Sequence, residues 1–164
     1  FDLVTHDQLT GLSQRRVFFY FLDQEIARST RRNRVFVLAL VDVDEMAKIN
    51  REWGNAAGDD VLKQVAKALK AGLREEDLVC RYGGEEFAAL LPETDQEEGE
   101  KLLNSVRSAI ANVEFFIKGQ SRSASVSLGA VLWNPELKTA AATLENADGK
   151  LKEAKKAGRN RIIW

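Results

Sequence analysis

Arg81-Tyr82-Gly83-Gly84-Glu85-Glu86-Phe87 sets two glycines and then two carboxylates between apolar runs, Leu78-Val79-Cys80 before and Phe87-Ala88-Ala89-Leu90-Leu91 after. Apolar runs split by a Gly-Gly turn read as a β-hairpin. Glycine at the tip tolerates positive φ and lets a bulky ligand approach the backbone. Carboxylates beside a bare turn can hold a metal over whatever the glycines admit, and an oxygen-rich set suits Mg²⁺. A hairpin with two solvated acids is the alternative that these residues alone leave open.

Outward from this hairpin the chain alternates helices and strands. Residues 14 to 31 carry Val17, Phe18, Phe21, Leu22 and Ile26 at helical spacing, with Ser13 placed as an N-cap. Val35 to Val43 is nearly all apolar and β-branched, as a strand buried on both faces requires, and Asp42 and Asp44 close it. A short helix is expected over Glu45 to Glu52, a turn at Gly54, and a second helix with Val61, Leu62, Val65, Ala66 and Leu69 inward. After the hairpin, Asp95 to Ala111 reads as a helix with Leu102, Leu103, Val106 and Ile110 inside. Ser123 to Trp133 has strand composition, bracketed by Gly119 and Pro135. A last helix over Leu144 to Lys156 ends at Gly158, a natural C′ glycine, and Ile162-Ile163 gives a short terminal strand. The sum is a sheet with helices packed on it.

The 164 residues suit one domain, and 45% hydrophobic with 30% charged residues is a globular composition. A formal net charge of -1 gives no bulk basic field for nucleic acid or an anionic membrane. No apolar run approaches the ~20 residues of a membrane span. Cys80 is the only cysteine, so no internal disulfide forms, and its apolar strand marks it as a buried hydrophobe. His6, the only histidine, supports neither a metal cluster nor a catalytic triad. Trp53, Trp133 and Trp164 are scattered and read as packing residues. Because the chain opens on Phe1 and holds one methionine, Met46, it is expected to be a domain from a longer protein.

Asp42 ends a rigid strand, and Glu85 lies at the tip of the hairpin expected to pair beside it, so the two carboxylates can converge. Metal-assisted phosphoryl transfer needs that convergence.

Arg-Tyr-Gly-Gly-Glu-Glu-Phe resembles the signature of the GGDEF family, the bacterial diguanylate cyclases, in its GGEEF spelling. Four further segments match in order, from Asp7 to Asn160: Asp7-Gln8-Leu9-Thr10-Gly11-Leu12; Val41-Asp42-Val43-Asp44 through Asn50 to Gly58-Asp59; Arg74-Glu75-Glu76-Asp77; and Ala154-Lys155-Lys156-Ala157-Gly158-Arg159-Asn160. The resemblance implies an α+β fold: a five-stranded, mostly antiparallel sheet with a βαββαβ core, similar to adenylyl cyclase catalytic domains and polymerase palms. It implies condensation of two GTP into cyclic di-GMP and two pyrophosphates across a homodimer. Mg²⁺ or Mn²⁺ would be held by Asp42, the carbonyl of Val43 and Glu85, with Glu85 or Glu86 assisting deprotonation. Asn50 and Asp59 would read guanine, whose N1–H and N2–H₂ suit a carboxylate. The backbone of Glu45 and Met46, with Gly83 and Gly84, would meet the rest of the nucleotide, and Lys155 and Arg159 the β- and γ-phosphates. Arg74 and Asp77 match an R-x-x-D site that binds cyclic di-GMP as inhibitor. The resemblance also implies a bacterial cytoplasmic location, and an upstream sensory or receiver module, membrane-bound in some relatives.

Bland readings compete at several positions. Asp59 would be favoured early in any helix, Lys155 and Arg159 at any helix C-terminus, and Arg74 with Asp77 as an exposed ion pair. Departures from the common pattern are Glu45-Met46-Ala47 for Phe-Phe-Lys, Asn55 for His, Gln14 for Asn and Lys152 for Tyr. Ala47 removes a cation expected near the triphosphate, Glu45 adds a negative charge, and Lys48, one residue on, stands about 100° around the helix. A domain without turnover that serves as a cyclic di-GMP receptor, or a GTP-sensing module, is the rival reading.

Overall fold

The computed structural model describes residues 5–164; the first four residues of the expected single domain lie outside them. The order is β1 (Ser13–Gln14), α1 (Arg15–Arg32), β2 (Phe36–Val43), α2 (Met46–Trp53), α3 (Asn55–Gly72), β3 (Leu78–Arg81), β4 (Glu86–Pro92), α4 (Gln96–Ala111), β5 (Phe115–Ile117), β6 (Gln120–Arg122), β7 (Val126–Leu132), α5 (Ala140–Lys156) and β8 (Ile162–Ile163).

β2 is the centre because all eight of its residues are buried. It pairs antiparallel with β4 on one side and β7 on the other, and β4 pairs antiparallel with β3. Side chains alternate across a strand, and the two cores follow. Val37, Ala39, Val41 and Val43 face a core built with Val61, Val65 and Leu69 of α3 and Leu103, Val106 and Ile110 of α4. Phe36, Leu38 and Leu40 face a second core with Phe18, Leu22 and Ile26 of α1 and Leu144, Ala147 and Leu151 of α5. Asp42 continues this second row, so its carboxylate points to the α5 side. Helix α5 lies very close to β7 there: a β-carbon on Gly129 would meet the Ala147 carbonyl oxygen at 2.2 Å and the Leu151 nitrogen at 2.3 Å. Only glycine fits.

The α+β architecture with its βαββαβ core is as the resemblance implies, but the sheet has six strands, ordered β1-β3-β4-β2-β7-β8. The addition is the two-residue edge β1, which runs parallel to β3; the expected terminal strand β8 forms the other edge, parallel to β7. Ser13 is accordingly not an N-cap. It lies in β1, and α1 starts after an extended Gln14 with no side-chain cap. A separate small hairpin of β5 and β6, turning through Lys118 and Gly119 at φ 53° and 79°, adds to the expected elements. Helix α5 begins at Ala140, four residues before the expected start, because the Thr139 hydroxyl accepts from the Ala142 amide at 3.1 Å. Asp95 caps α4 in the same way, accepting from the Glu98 amide at 2.8 Å.

Candidate active site

β2 and β4 place three carboxylates at one end of the sheet. Asp42 lies opposite Glu86 in register, with Ser127 of β7 on its other side. Glu85 joins through its backbone: its carbonyl accepts from the Val43 amide at 3.2 Å. Like charges across an antiparallel pair repel. The Asp42 carboxyl is pushed above its ordinary range, first by burial and in part by Asp44, despite the opposing pull of Lys155. Glu85 and Glu86 are also raised, by burial first and by Asp42 second. The Lys155 ammonium, one helical turn beyond buried Leu151, reaches over α5 to pair with Asp42 Oδ2.

Asp42 Oδ1 is buried and accepts no hydrogen bond in the protein. A buried carboxylate oxygen without a donor is costly unless a cation meets it. Asp42, the Val43 carbonyl and Glu85 therefore fit a hard divalent cation as an oxygen-donor set. Among the described residues no three acidic, His or Cys side chains gather as a metal cluster; the set here is two carboxylates and a carbonyl.

The second carboxylate of the D-x-D pair is different. Asp44 is 5% exposed, and both its oxygens are occupied by Ser127, Ser125 and the Asn160 amide. It ties the end of β2 to β7 and to the loop after α5.

The turn between β3 and β4 is closed by Tyr82 and Gly83 amides, which both donate to the Glu86 carbonyl, at 2.8 and 3.1 Å. Gly83 and Gly84 do not adopt positive φ, and a β-carbon on Gly84 would meet nothing within 4 Å. The fold itself thus makes no demand for glycine at Gly84, which keeps the bare surface available to a ligand. Two residues to which the sequence assigned no role brace this tip. Arg81 donates to the Gly84 carbonyl at 2.7 Å and to both Asp7 oxygens at 3.1 and 3.2 Å. Arg15 stacks on the Tyr82 ring, 4.3 Å from its centroid.

Asn50 in α2 packs over Gly58 in α3, the residue before Asp59. The Asn50 amide lies so close over Gly58 that a β-carbon there would sit 1.8 Å from Oδ1, and Asp59 follows, exposed. Glu45 precedes α2 at φ 54°, its side chain exposed, while Met46 is 5% exposed. As first residues of a helix, Met46 and its neighbours carry amides without intrahelical acceptors. Lys48 lines a polar cleft of about 530 Å³ with Glu45, Glu52, Arg122 and Asn160. Lys152 is engaged by Asp148 at 3.0 Å. Arg159 lies exposed beyond α5 at φ 66°, following Gly158 at φ 124°.

Arg74 and Asp77 are more than a solvated pair. The Asp77 side chain is fully buried, and Arg74 Nη2 and Nε donate to it at 2.9 and 3.1 Å. Arg74 also reaches Glu98 at 2.9 Å and the Thr94 hydroxyl. Cys80 is buried, which pushes its thiol up to about 12, as expected of a packing residue. No helix among the described residues is long and apolar enough to cross a membrane.

Comparison with known proteins finds matches over nearly the whole chain. The family model described as "Diguanylate cyclase, GGDEF domain" matches residues 4–161. The chain is 42% identical over 156 residues to diguanylate cyclase DgcP of Pseudomonas aeruginosa, covering 95% of this chain and 23% of that protein. It is 33% identical to the response regulator PleD of Caulobacter vibrioides, covering 99% of this chain and 36% of that one. The chain thus spans well under half of either relative. The crystal structure of the GGDEF domain of DgcB from Caulobacter crescentus, in complex with c-di-GMP, superposes with a TM-score of 0.93 at 28% identity, covering 99% of this chain and 94% of that one. The carboxylate pair at the sheet end, the glycine-tipped hairpin and the matched family model lead to one assignment: the chain belongs to the diguanylate cyclase GGDEF-domain family.

Proposed function

We propose that this domain is a diguanylate cyclase that condenses two GTP into cyclic di-GMP and two pyrophosphates, one GTP per copy of the chain, in a homodimer whose half-sites face each other. The observation that carries the reading is the donorless, buried Asp42 Oδ1 beside Glu85 and Glu86 at the foot of a glycine-tipped hairpin. Mg²⁺ or Mn²⁺ held by Asp42, the Val43 carbonyl and Glu85 would neutralise phosphate charge and acidify the attacking 3′-hydroxyl.

The chain's own residues supply the rest. Gly83 and Gly84 admit the nucleotide against the hairpin. Asn50 and Asp59 read the guanine edge, where a site built to hydrogen-bond a group rejects partners that lack it. The amides of Glu45 and Met46 meet phosphate oxygens at the start of α2, and Lys155 and Arg159 supply cations for the β- and γ-phosphates. Glu85 and Glu86, both raised by burial and by Asp42, are the candidates to take the hydroxyl proton. Arg74 and Asp77 form the product site, and a preceding sensory or receiver module would set the pairing of two copies. The domain acts in the bacterial cytoplasm, where GTP is available.

The test is incubation of purified, forcibly dimerised protein with GTP and Mg²⁺, with cyclic di-GMP as the readout. Glu85→Gln keeps the side chain's shape and removes its charge, and is expected to abolish product while the fold persists. A variant working at the parent rate would refute the metal assignment.

A further inference from the structure

Asp44 has no part in the reading above, yet three donors converge on its carboxylate. Oδ1 accepts from the Ser127 hydroxyl at 2.6 Å, and Oδ2 accepts from the Ser125 hydroxyl at 2.6 Å and the Asn160 backbone amide at 3.1 Å. The Asp44 amide donates in turn to the Ser125 carbonyl at 2.9 Å. The third donor belongs to a strained segment: Gly158, Arg159 and Asn160 take φ of 124°, 66° and 47° in succession. A non-glycine residue held left-handed persists only where its surroundings over-determine it.

Several contacts do so: among them, the Gly158 amide donates to the Lys155 carbonyl, the Leu128 amide to the Arg161 carbonyl and Arg107 to the Asn160 carbonyl. The Arg159 amide donates to the Ala154 carbonyl at 3.0 Å, and Arg107 reaches Asn160 Oδ1 at 2.8 Å. The peptide joining Arg159 to Asn160 is held at its carbonyl by Arg161 Nε, at 2.9 Å, and at its N–H by Asp44. Arg161 is exposed, whereas Asp44 is buried and held by Ser125 and Ser127 at the start of β7. The orientation of this peptide sets the direction in which the Arg159 side chain leaves the backbone.

We propose that Asp44 is a positioning residue for the triphosphate: it fixes the loop after α5 so that Arg159 meets the phosphates, touching neither metal nor nucleotide itself. The inference rests on the assignment of Arg159 as a phosphate cation. It separates the two aspartates of the D-x-D pair into a donorless oxygen that faces a cation and a filled carboxylate that holds a loop.

The experiment measures equilibrium binding of 3′-deoxy-GTP, which lacks the nucleophile and cannot cyclise, beside guanosine, which lacks phosphates. Proteins are the parent, Asp44→Ala, Asp44→Asn, Arg159→Ala and the two Asp44 variants in the Arg159→Ala background, each checked as folded by circular dichroism. Asp44→Ala is expected to weaken 3′-deoxy-GTP roughly tenfold, the loss of one charge-assisted hydrogen bond. Asp44→Asn keeps an acceptor for the Asn160 amide without the charge, and is expected to lose about threefold. Neither should change guanosine affinity, and neither should weaken 3′-deoxy-GTP further once Arg159 is alanine. Parent-like 3′-deoxy-GTP affinity in folded Asp44→Ala overturns the proposal; where that variant does not fold, the same result in Asp44→Asn does so. An equal loss of guanosine, or a loss that persists in the Arg159→Ala background, also overturns it. Full 3′-deoxy-GTP affinity in Arg159→Ala itself would instead remove the phosphate assignment on which the inference stands.

Discussion

Gly58→Ala probes base reading at its tightest contact. The added β-carbon would sit 1.8 Å from Asn50 Oδ1 and 3.0 Å from both Asn50 Cγ and Met46 Cε. All three are side-chain atoms, so the backbone of α3 can stay while the Asn50 amide moves aside. Reaching ordinary contact at 3.4 Å takes a retreat of about 1.6 Å. Hydrogen bonds occupy a window of only ~2.7–3.2 Å, so bonds from Asn50 to guanine would fail. Stability should fall by no more than about 2 kcal/mol. Alanine is favoured over glycine in a helix by ~1 kcal/mol, which offsets part of an overpacking cost of about 1–3 kcal/mol. Loss of one or two hydrogen bonds, ~1–3 kcal/mol in all, predicts a KM for GTP raised roughly five- to a hundredfold. The assay is the steady-state rate of cyclic di-GMP formation by the forced dimer against GTP concentration, with Asn50→Ala alone and combined with Gly58→Ala. The combined variant should match Asn50→Ala. An unchanged KM in Gly58→Ala, beside a raised one in Asn50→Ala, would refute the seat argued for this amide. No change in either would place base reading elsewhere.

Asp42, Glu85 and Glu86 are all raised from ordinary values of 3.8 or 4.5. The folded state therefore holds protons that the unfolded chain has released, and stability is lost as pH rises from those ordinary values through the raised ones. Mg²⁺ relieves the repulsion among the ionised groups, so its stabilisation of the fold, read as a Tm shift, should be larger at pH 7.5 than at pH 5; an equal shift at both would sink the idea. Arg74→Ala should weaken cyclic di-GMP binding roughly ten- to a hundredfold without lowering initial velocity, measured by titration of product beside early-time rates. Because Arg74 also serves buried Asp77, Thr94 and Glu98, the same variant should melt at a lower temperature, and unchanged product affinity would leave the arginine a purely structural brace.

Legibility in the sequence followed local pattern. The apolar run ending at Asp42 reads directly as a central strand because both faces of β2 are buried. Cross-strand pairing then follows once Gly83-Gly84 is taken as a turn. Strands β1, β5 and β6 are two or three residues long and carry no period to detect. The different fates of Asp42 and Asp44 were hidden for another reason. Their partners, Lys155, Ser125, Ser127 and Asn160, lie 81 to 116 residues away; the pairing of β2 with β7 brings the two serines near, and the packing of α5 on that sheet brings the other two. Resemblance could name Arg74 and Asp77, but the ties to Thr94 and Glu98 require the finished turn between β4 and α4.

The position of β2 has a consequence for biosynthesis. Its hydrogen-bonding neighbours are β4, over Glu86–Pro92, and β7, over Val126–Leu132. A ribosome adding ~5–20 residues per second needs roughly five to twenty seconds after finishing β2 to deliver the second of them. Throughout that interval an eight-residue strand, apolar but for Asp42, has at least one open edge, the state most prone to pair with another chain. Long-range pairing of this kind also slows folding. Recovery of soluble protein should therefore depend on synthesis rate and chaperone supply more steeply than the stability of the finished sheet would indicate.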